Sequence, residues 1–97
     1  MKIEKKKNGS NVELILNGWM DTQNAPLLEE ALKTLESDTE HLTLDMADLE
    51  YCSSAGIRQI VVAYKRMKGA LTLRNVNGNI MTLLEMTGLE PYLHFEP

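Results

Sequence analysis

Two adjacent hydroxyls, Ser53 and Ser54 in "YCSSAGIRQ", stand where a polar stretch gives way to an amphipathic run, and they are the residues of this chain best placed to do chemistry. A serine at such a junction has three uses. Its oxygen can accept a hydrogen bond from an unpaired amide of the first helical turn, worth about 1 kcal/mol. It can act as a nucleophile, which needs a neighbouring base, and His41 and His94 are both distant in sequence. It can also receive a phosphoryl group, adding a charge of about −2 where free amides and the helix dipole tolerate an anion. Capping accounts for one serine without further chemistry. The surrounding "SSAG" lacks the Gly-x-Ser-x-Gly elbow of common hydrolases, and the chain has neither Gly-x-x-x-x-Gly-Lys nor Gly-x-Gly-x-x-Gly to cradle a nucleotide.

Composition narrows the classes. The chain has 97 residues, 43% of them hydrophobic and 25% charged, which fits one domain over residues 1–97 with a single core. A formal charge of −4 argues against a nonspecific phosphate-backbone binder, and "KIEKKK" near the start is expected to be a solvated strand end. One cysteine, Cys52, excludes an internal disulfide, and with two histidines there is no spacing for a structural zinc site. No apolar run approaches the roughly 20 residues that span a bilayer, and no signal-peptide core is visible, so a cytoplasmic location without membrane insertion is expected.

The hydroxyls must be positioned by the elements around them. Alternation in "NVELILNGWMD" predicts a strand ended by Gly18, paired through "NGS" with an earlier strand within residues 2–7. Leu27, Leu28, Ala31, Leu32 and Leu35 recur at helical spacing over residues 24–36, with Thr22 or Asn24 as cap and Pro26 in the first turn. "LTLDM" predicts a strand, "ADLEYCSS" a turn, and the next run a helix with Ile57, Ile60, Val61, Tyr64 and Met67 inward, ended by Gly69. "ALTLRNV" reads as a strand, "GNIMTLLEMTG" as a helix closed by Gly88, and "YLHF" as a last short strand. The order is β-β-α-β-α-β-α-β. It implies an α/β fold with a mixed sheet, right-handed crossovers, and helices mainly on one face, because the strands alternate instead of running apolar throughout.

With that stripe inward, Ala55, Gln59, Val62 and Arg66 fall on the opposite face of the helix, next to the serines. Such a small, partly apolar face is either ordinary surface or a place for another protein to dock. For the neighbouring Trp19 and Met20, packing against the first helix is the favoured expectation over a contact with a partner.

The segment "LTLDMADLEYCSSAGIRQIVVAYKRMKGALTLRNVNGNIMTLLEMTGLEPYLHF" resembles the STAS domain of bacterial anti-sigma factor antagonists, and "LILNGWMD" is similar to that family's early strand ending in Gly-x-apolar-Asp. The likeness covers nearly the whole chain and is most specific over residues 42–58; "MTGLEPYL" adds the family's helix ending in Gly-Leu. It implies a phosphoacceptor serine two residues before the loop glycine, which here is Ser54 before Gly56. Where the family has an aspartate before the acceptor this chain has Ser53, which leaves Ser53 as a second candidate, and a further family serine is replaced by Ala55. Asp21 matches the aspartate after the early strand; Asn24 follows it more weakly, and a turn or cap role is the simpler physical meaning of both. The implied partner surface comprises Asp21, Asn24, Ser53, Ser54, Ala55, Gly56, Gln59, Val62 and Arg66.

The resemblance further implies a partner-switching cycle. The unphosphorylated domain binds an anti-sigma factor that is also a serine kinase, freeing the sigma factor; phosphorylation of Ser54 ends that contact and a metal-dependent serine phosphatase resets it. ATP and magnesium would be held by the kinase, so no cofactor, resident metal, catalytic residue or direct nucleic-acid contact is expected of this chain. The alternative is an unphosphorylated STAS scaffold in a transporter or lipid-transport assembly. A small enzyme or nucleotide-binding protein is a third class. Oligomeric state is left open.

Overall fold

The computed structural model describes residues 1–97. Strands β1 (Lys2–Asn8) and β2 (Asn11–Met20) form the expected hairpin, followed by α1 (Ala25–Lys33), β3 (His41–Cys52), α2 (Ser54–Arg66), β4 (Leu71–Arg74), α3 (Gly78–Met86), a short 3-10 turn at Glu90–Tyr92, and β5 (His94–Glu96). The predicted order of strands and helices is therefore the observed one. The five strands lie side by side in chain order, β1 antiparallel to β2 and every later pair parallel. Three successive parallel crossovers that all step in one direction, each right-handed, must put α1, α2 and α3 on the same face of the sheet.

The core follows from that arrangement. Val12, Leu14 and Leu16 of β2, Leu42, Leu44 and Met46 of β3, and Leu71 and Leu73 of β4 are buried beneath Leu28 and Leu32 of α1, Ile57 and Ile60 of α2, and Ile80 and Leu84 of α3. The intervening residues form the helix-free face, where Arg74 reaches Glu13 on one side and Glu96 on the other. Alternation in β2 and β4 thus reports a sheet covered on one side. The "KIEKKK" strand is the edge, and its Lys5 and Lys7 pair with Glu36, with Lys7 also 3.3 Å from Asp38, pinning the edge to the loop before β3.

Three expectations are corrected. First, "ADLEYC" is not a turn: β3 continues through it to Cys52, and β2 continues past Gly18 to Met20. The register moves from Ile15↔Asp45 to Asn17↔Asp48, and again from Gly18↔Leu49 to Trp19↔Tyr51, so β3 carries one extra residue at each shift. Two bulges turn the buried spacing from two into three, at Met46, Leu49 and Cys52, and that spacing no longer reads as a strand. Second, α1 ends at Lys33, because Thr34 turns its hydroxyl onto the Ala31 carbonyl at 2.7 Å and the chain leaves the helix; Leu35 stays buried outside it. Third, Asn24 holds the N-cap position of α1, as one of the two expected residues, but its side chain makes no capping bond there. The Asp21 carboxylate accepts the Asn24 amide at 2.9 Å, and its carbonyl accepts the Ala25 amide.

The far end of α2 behaves as predicted. Gly69, with φ 88, donates its amide to the Tyr64 carbonyl at 3.0 Å, a left-handed stop that a side chain would strain. Helix α3 starts at an Asn77 cap whose Oδ1 accepts the Ile80 amide at 2.9 Å while its Nδ2 donates to the Leu49 carbonyl between the two bulges. Asn77 thereby ties α3 to the irregular part of β3. Asn77→Ala removes both bonds and is expected to lower stability by about 1–2 kcal/mol, measured by urea denaturation at unchanged slope.

Candidate functional site

The bulged end of β3 delivers the serines. Ser53 is extended (φ −90, ψ 175) and is the N-cap of α2, its Oγ accepting the Gly56 amide at 3.3 Å. Ser54 is the first residue of the helix and is exposed. The two hydroxyls thus separate by role: Ser53 closes the helix and Ser54 is presented to solvent. Ser53→Ala is expected to cost about 1 kcal/mol in thermal or chemical denaturation, and Ser54→Ala close to nothing.

Close packing explains Gly56, the glycine of "SSAG". A Cβ there would stand 2.7 Å from the Cys52 sulfur and 2.9 Å from Met20 Cγ, both buried, so the helix rests directly on the ends of β2 and β3. Gly56 lies underneath the helix, not on the face assigned to a partner. Cys52, pressed under this contact, has its thiol pushed up to about 11 by burial, so it stays protonated and unreactive at neutral pH.

The loop after β2 closes over the same end of the sheet. The Ser53 amide donates to the Met20 carbonyl at 2.9 Å, which places Asp21, the next residue, beside the junction. Asp21 and Asn24 are both engaged in holding that loop, the first by accepting the Asn24 and Ala25 amides, the second through Nδ2 to the Trp19 carbonyl at 3.0 Å. Their turn-and-cap meaning is the one that the geometry displays.

Helix α2 is rotated from its predicted setting. Gly56, Ile57, Ile60 and Ala63 are its buried residues, with Met67 just past its end, while Val61 and Tyr64 are only half-buried. The inward direction moves by roughly 45°, about half of one residue's 100° step. Ala55 and Gln59 consequently swing to a half-buried flank, and Ser54, Arg58, Val62 and Lys65 occupy the outermost line, with Arg66 exposed at its side. Val62 remains 41% exposed. The reason is that small residues at Gly56 and Ala63 let the helix settle on a side that counting large apolar residues does not weigh.

Sequence reasoning also missed a rim of aromatic and polar groups. Trp19 and Met20 point to opposite faces, as neighbours in a strand must, so Met20 is fully buried and Trp19 is 57% exposed on the face away from α1. The Trp19 ring lies 5.5 Å from that of Tyr51, and its Nε1 donates to Glu50 at 2.9 Å. Glu50, Tyr51, Ser53 and Ser54 face Asn79 and Leu83 of α3 across a groove of about 430 Å³. Only the shifted β2–β3 register brings Trp19 to Tyr51, and no pattern along the chain carries it.

Neither histidine approaches Ser54. His41 begins β3 and its Nε2 is 2.9 Å from Thr72 Oγ1, while His94 pairs with Thr72 in the sheet, so both sit at the opposite strand ends, on the order of 30 Å away. Neither imidazole is therefore in reach of the Ser54 hydroxyl. A larger hollow of about 650 Å³ lies at that other end, on the helix-free face, among ion-paired groups such as Glu13, Arg74 and Glu96. It contains no serine and no group of three or more metal-ligating side chains exists in the chain.

A five-stranded mixed sheet with three helices on one face, in the order β-β-α-β-α-β-α-β, is the fold of a STAS domain. The STAS domain family model matches residues 2–97, and the chain belongs to that family. It is 29% identical over 91 residues to the anti-sigma-B factor antagonist of Bacillus subtilis, covering 91% of this chain and 84% of that one. The Bacillus cell fate determinant SpoIIAA, solved in its phosphorylated form, superposes with a TM-score of 0.76 at 13% identity, over 99% of this chain and 92% of that one. A sulfate transporter family protein from Wolinella succinogenes also superposes with a TM-score of 0.76, at 17% identity over 89% and 76% of the two chains. At these identities the two structures show the fold alone. No helix of the chain is long and apolar enough to cross a membrane.

Proposed function

We propose that this chain is an anti-sigma factor antagonist that binds a serine-kinase anti-sigma factor through the Ser54 end of α2 and is released when Ser54 is phosphorylated. The observation that carries the reading is the division of labour between the serines: Ser53 is engaged as the cap and Ser54 stands exposed on the first helical residue. The name of the Bacillus subtilis relative supports the class of partner. In the proposed step the partner kinase, holding ATP and magnesium, transfers the terminal phosphoryl group to Ser54 Oγ; a new P–O bond forms, ADP leaves, and the hydroxyl proton passes to a base of the kinase. A metal-dependent phosphatase hydrolyses the ester and restores the hydroxyl. The acceptor sits where amides and dipole favour an anion, so the charge is felt by the partner and not by the fold.

The test is to recover the serine-kinase anti-sigma factor that copurifies with the unmodified chain, add ATP and magnesium, and locate the phosphate by mass spectrometry. A single phosphate on Ser54 and dissociation of the complex are expected. A stable complex without modification of Ser53 or Ser54 sinks the switch. Recovery with transporter subunits in place of a kinase would favour the scaffold reading, which the likeness to the Wolinella protein's fold keeps in view.

A further inference from the structure

The outer face of α2 carries an unneutralised charge. Residues 54–69 include Arg58, Lys65, Arg66 and Lys68 and no aspartate or glutamate, in a chain whose net charge is −4. All four cations are exposed. The six ion pairs of the molecule use Lys5, Lys7, Lys33 and Arg74, so none of these four meets a carboxylate; Arg66 has only the Leu35 carbonyl, at 3.4 Å. Cations at the last turn of a helix are favoured by its dipole, which accounts for Lys65 and Arg66. It does not account for Arg58, which stands near the positive end, one turn from Ser54, on the same outward line as Val62 and Lys65.

We propose that this stripe is an electrostatic docking surface for an acidic protein face, that of the anti-sigma factor, and that Arg58 couples it to the switch. The inference rests on the antagonist reading above and names the chemistry of the partner. Charge complementarity selects the occupant: three unpaired cations along about 12 Å of helix, from Arg58 to Arg66, with Lys68 just past its end, fit a carboxylate-rich surface. A nucleic acid is disfavoured, because Glu50 lines the adjoining groove and the molecule as a whole is acidic, so a long polyanion would meet repulsion on leaving the stripe. Phosphorylation then acts twice. It sets an anion at the head of the stripe, facing the partner's carboxylates, and it offers Arg58 a counter-charge one helical turn away within its own chain.

The test measures association rates between the purified full chain and the copurifying anti-sigma factor at low and physiological salt. Arg58→Glu/Lys65→Glu is compared with Lys2→Glu/Lys6→Glu, which makes the same change in net charge on β1. The first pair is expected to lose about tenfold or more in association rate at low salt and to flatten the salt dependence, with the second close to wild type. Equal losses in both would overturn the inference in favour of net charge alone. Wild-type binding that neither salt nor the α2 substitutions alter would overturn it while leaving the antagonist reading intact; absence of wild-type binding would overturn both. Arg58→Gln/Lys65→Gln, read in the same way and checked by thermal melting, guards against a folding defect. Wild-type binding to phosphatidylglycerol vesicles or to a DNA duplex that the α2 substitutions abolish would assign the stripe to a different anion and overturn the proposal.

Discussion

Ser54→Asp is expected to fold like the wild type and to lose about a hundredfold or more in affinity for the anti-sigma factor. The position is exposed, makes no cap and begins a helix, so a carboxylate there meets the favourable end of the dipole and a melting curve should shift little or slightly upward. In the proposed complex the partner would meet the same charge across a desolvated contact, where an unpaired or repelled anion outweighs a hydrogen bond, and a hundredfold corresponds to about 2.7 kcal/mol. Ser54→Ala should bind as tightly as wild type and be insensitive to ATP. Isothermal titration of the three proteins against the same partner decides the matter. Equal affinity of Ser54→Asp and wild type would remove the electrostatic mechanism. Because aspartate carries one charge and a phosphate about two, the phosphorylated protein should bind more weakly than Ser54→Asp.

Gly56→Val is expected to be the most damaging single change near the site, because Gly56 is buried on the underside of α2. The added Cβ would sit 2.7 Å from Cys52 Sγ and 2.9 Å from Met20 Cγ, and Met20 is fully buried with nowhere to withdraw. Overpacking of this kind costs about 1–3 kcal/mol for one methyl and more for a branched side chain. For a chain of this size that is a fall in melting temperature of about 10 °C or more. Gly56→Ala is the sharper measurement, because alanine gains about 1 kcal/mol of helix propensity over glycine. A net loss means that the clash wins; a net gain means that α2 does not rest as closely on the strand ends as described. Replacing Cys52 by alanine in the Gly56→Ala background should restore part of the loss, since the two changes share one contact and will not be additive.

Much of the scaffold was legible along the chain because its signals are local. Period-two alternation marked β2 and β4, helical spacing of leucines marked α1, and Gly69 and Gly88 marked the helix ends near where they occur. The junction of Ser53 and Ser54 was visible for the same reason: a polar stretch, two hydroxyls and an apolar helical run lie next to one another in the chain. The extended "ADLEYC", the burial of Gly56 and the Trp19–Tyr51 rim were not visible. Each depends on which residue of one strand opposes which residue of another, and the two bulges in β3 shift that correspondence twice.

Residue order alone therefore determined the succession of elements, the one-sided sheet and the pair of candidate hydroxyls, since these follow from periodicity and from caps within a few residues of each other. Tertiary packing decided which hydroxyl is free, by using Ser53 as the cap. It also decided which line of α2 faces outward, by seating Gly56 and Ala63 against the sheet. The physical reason is that a helix turns toward its closest achievable contact, and closeness is set by atoms on strands far away in sequence, whose register the chain does not spell out.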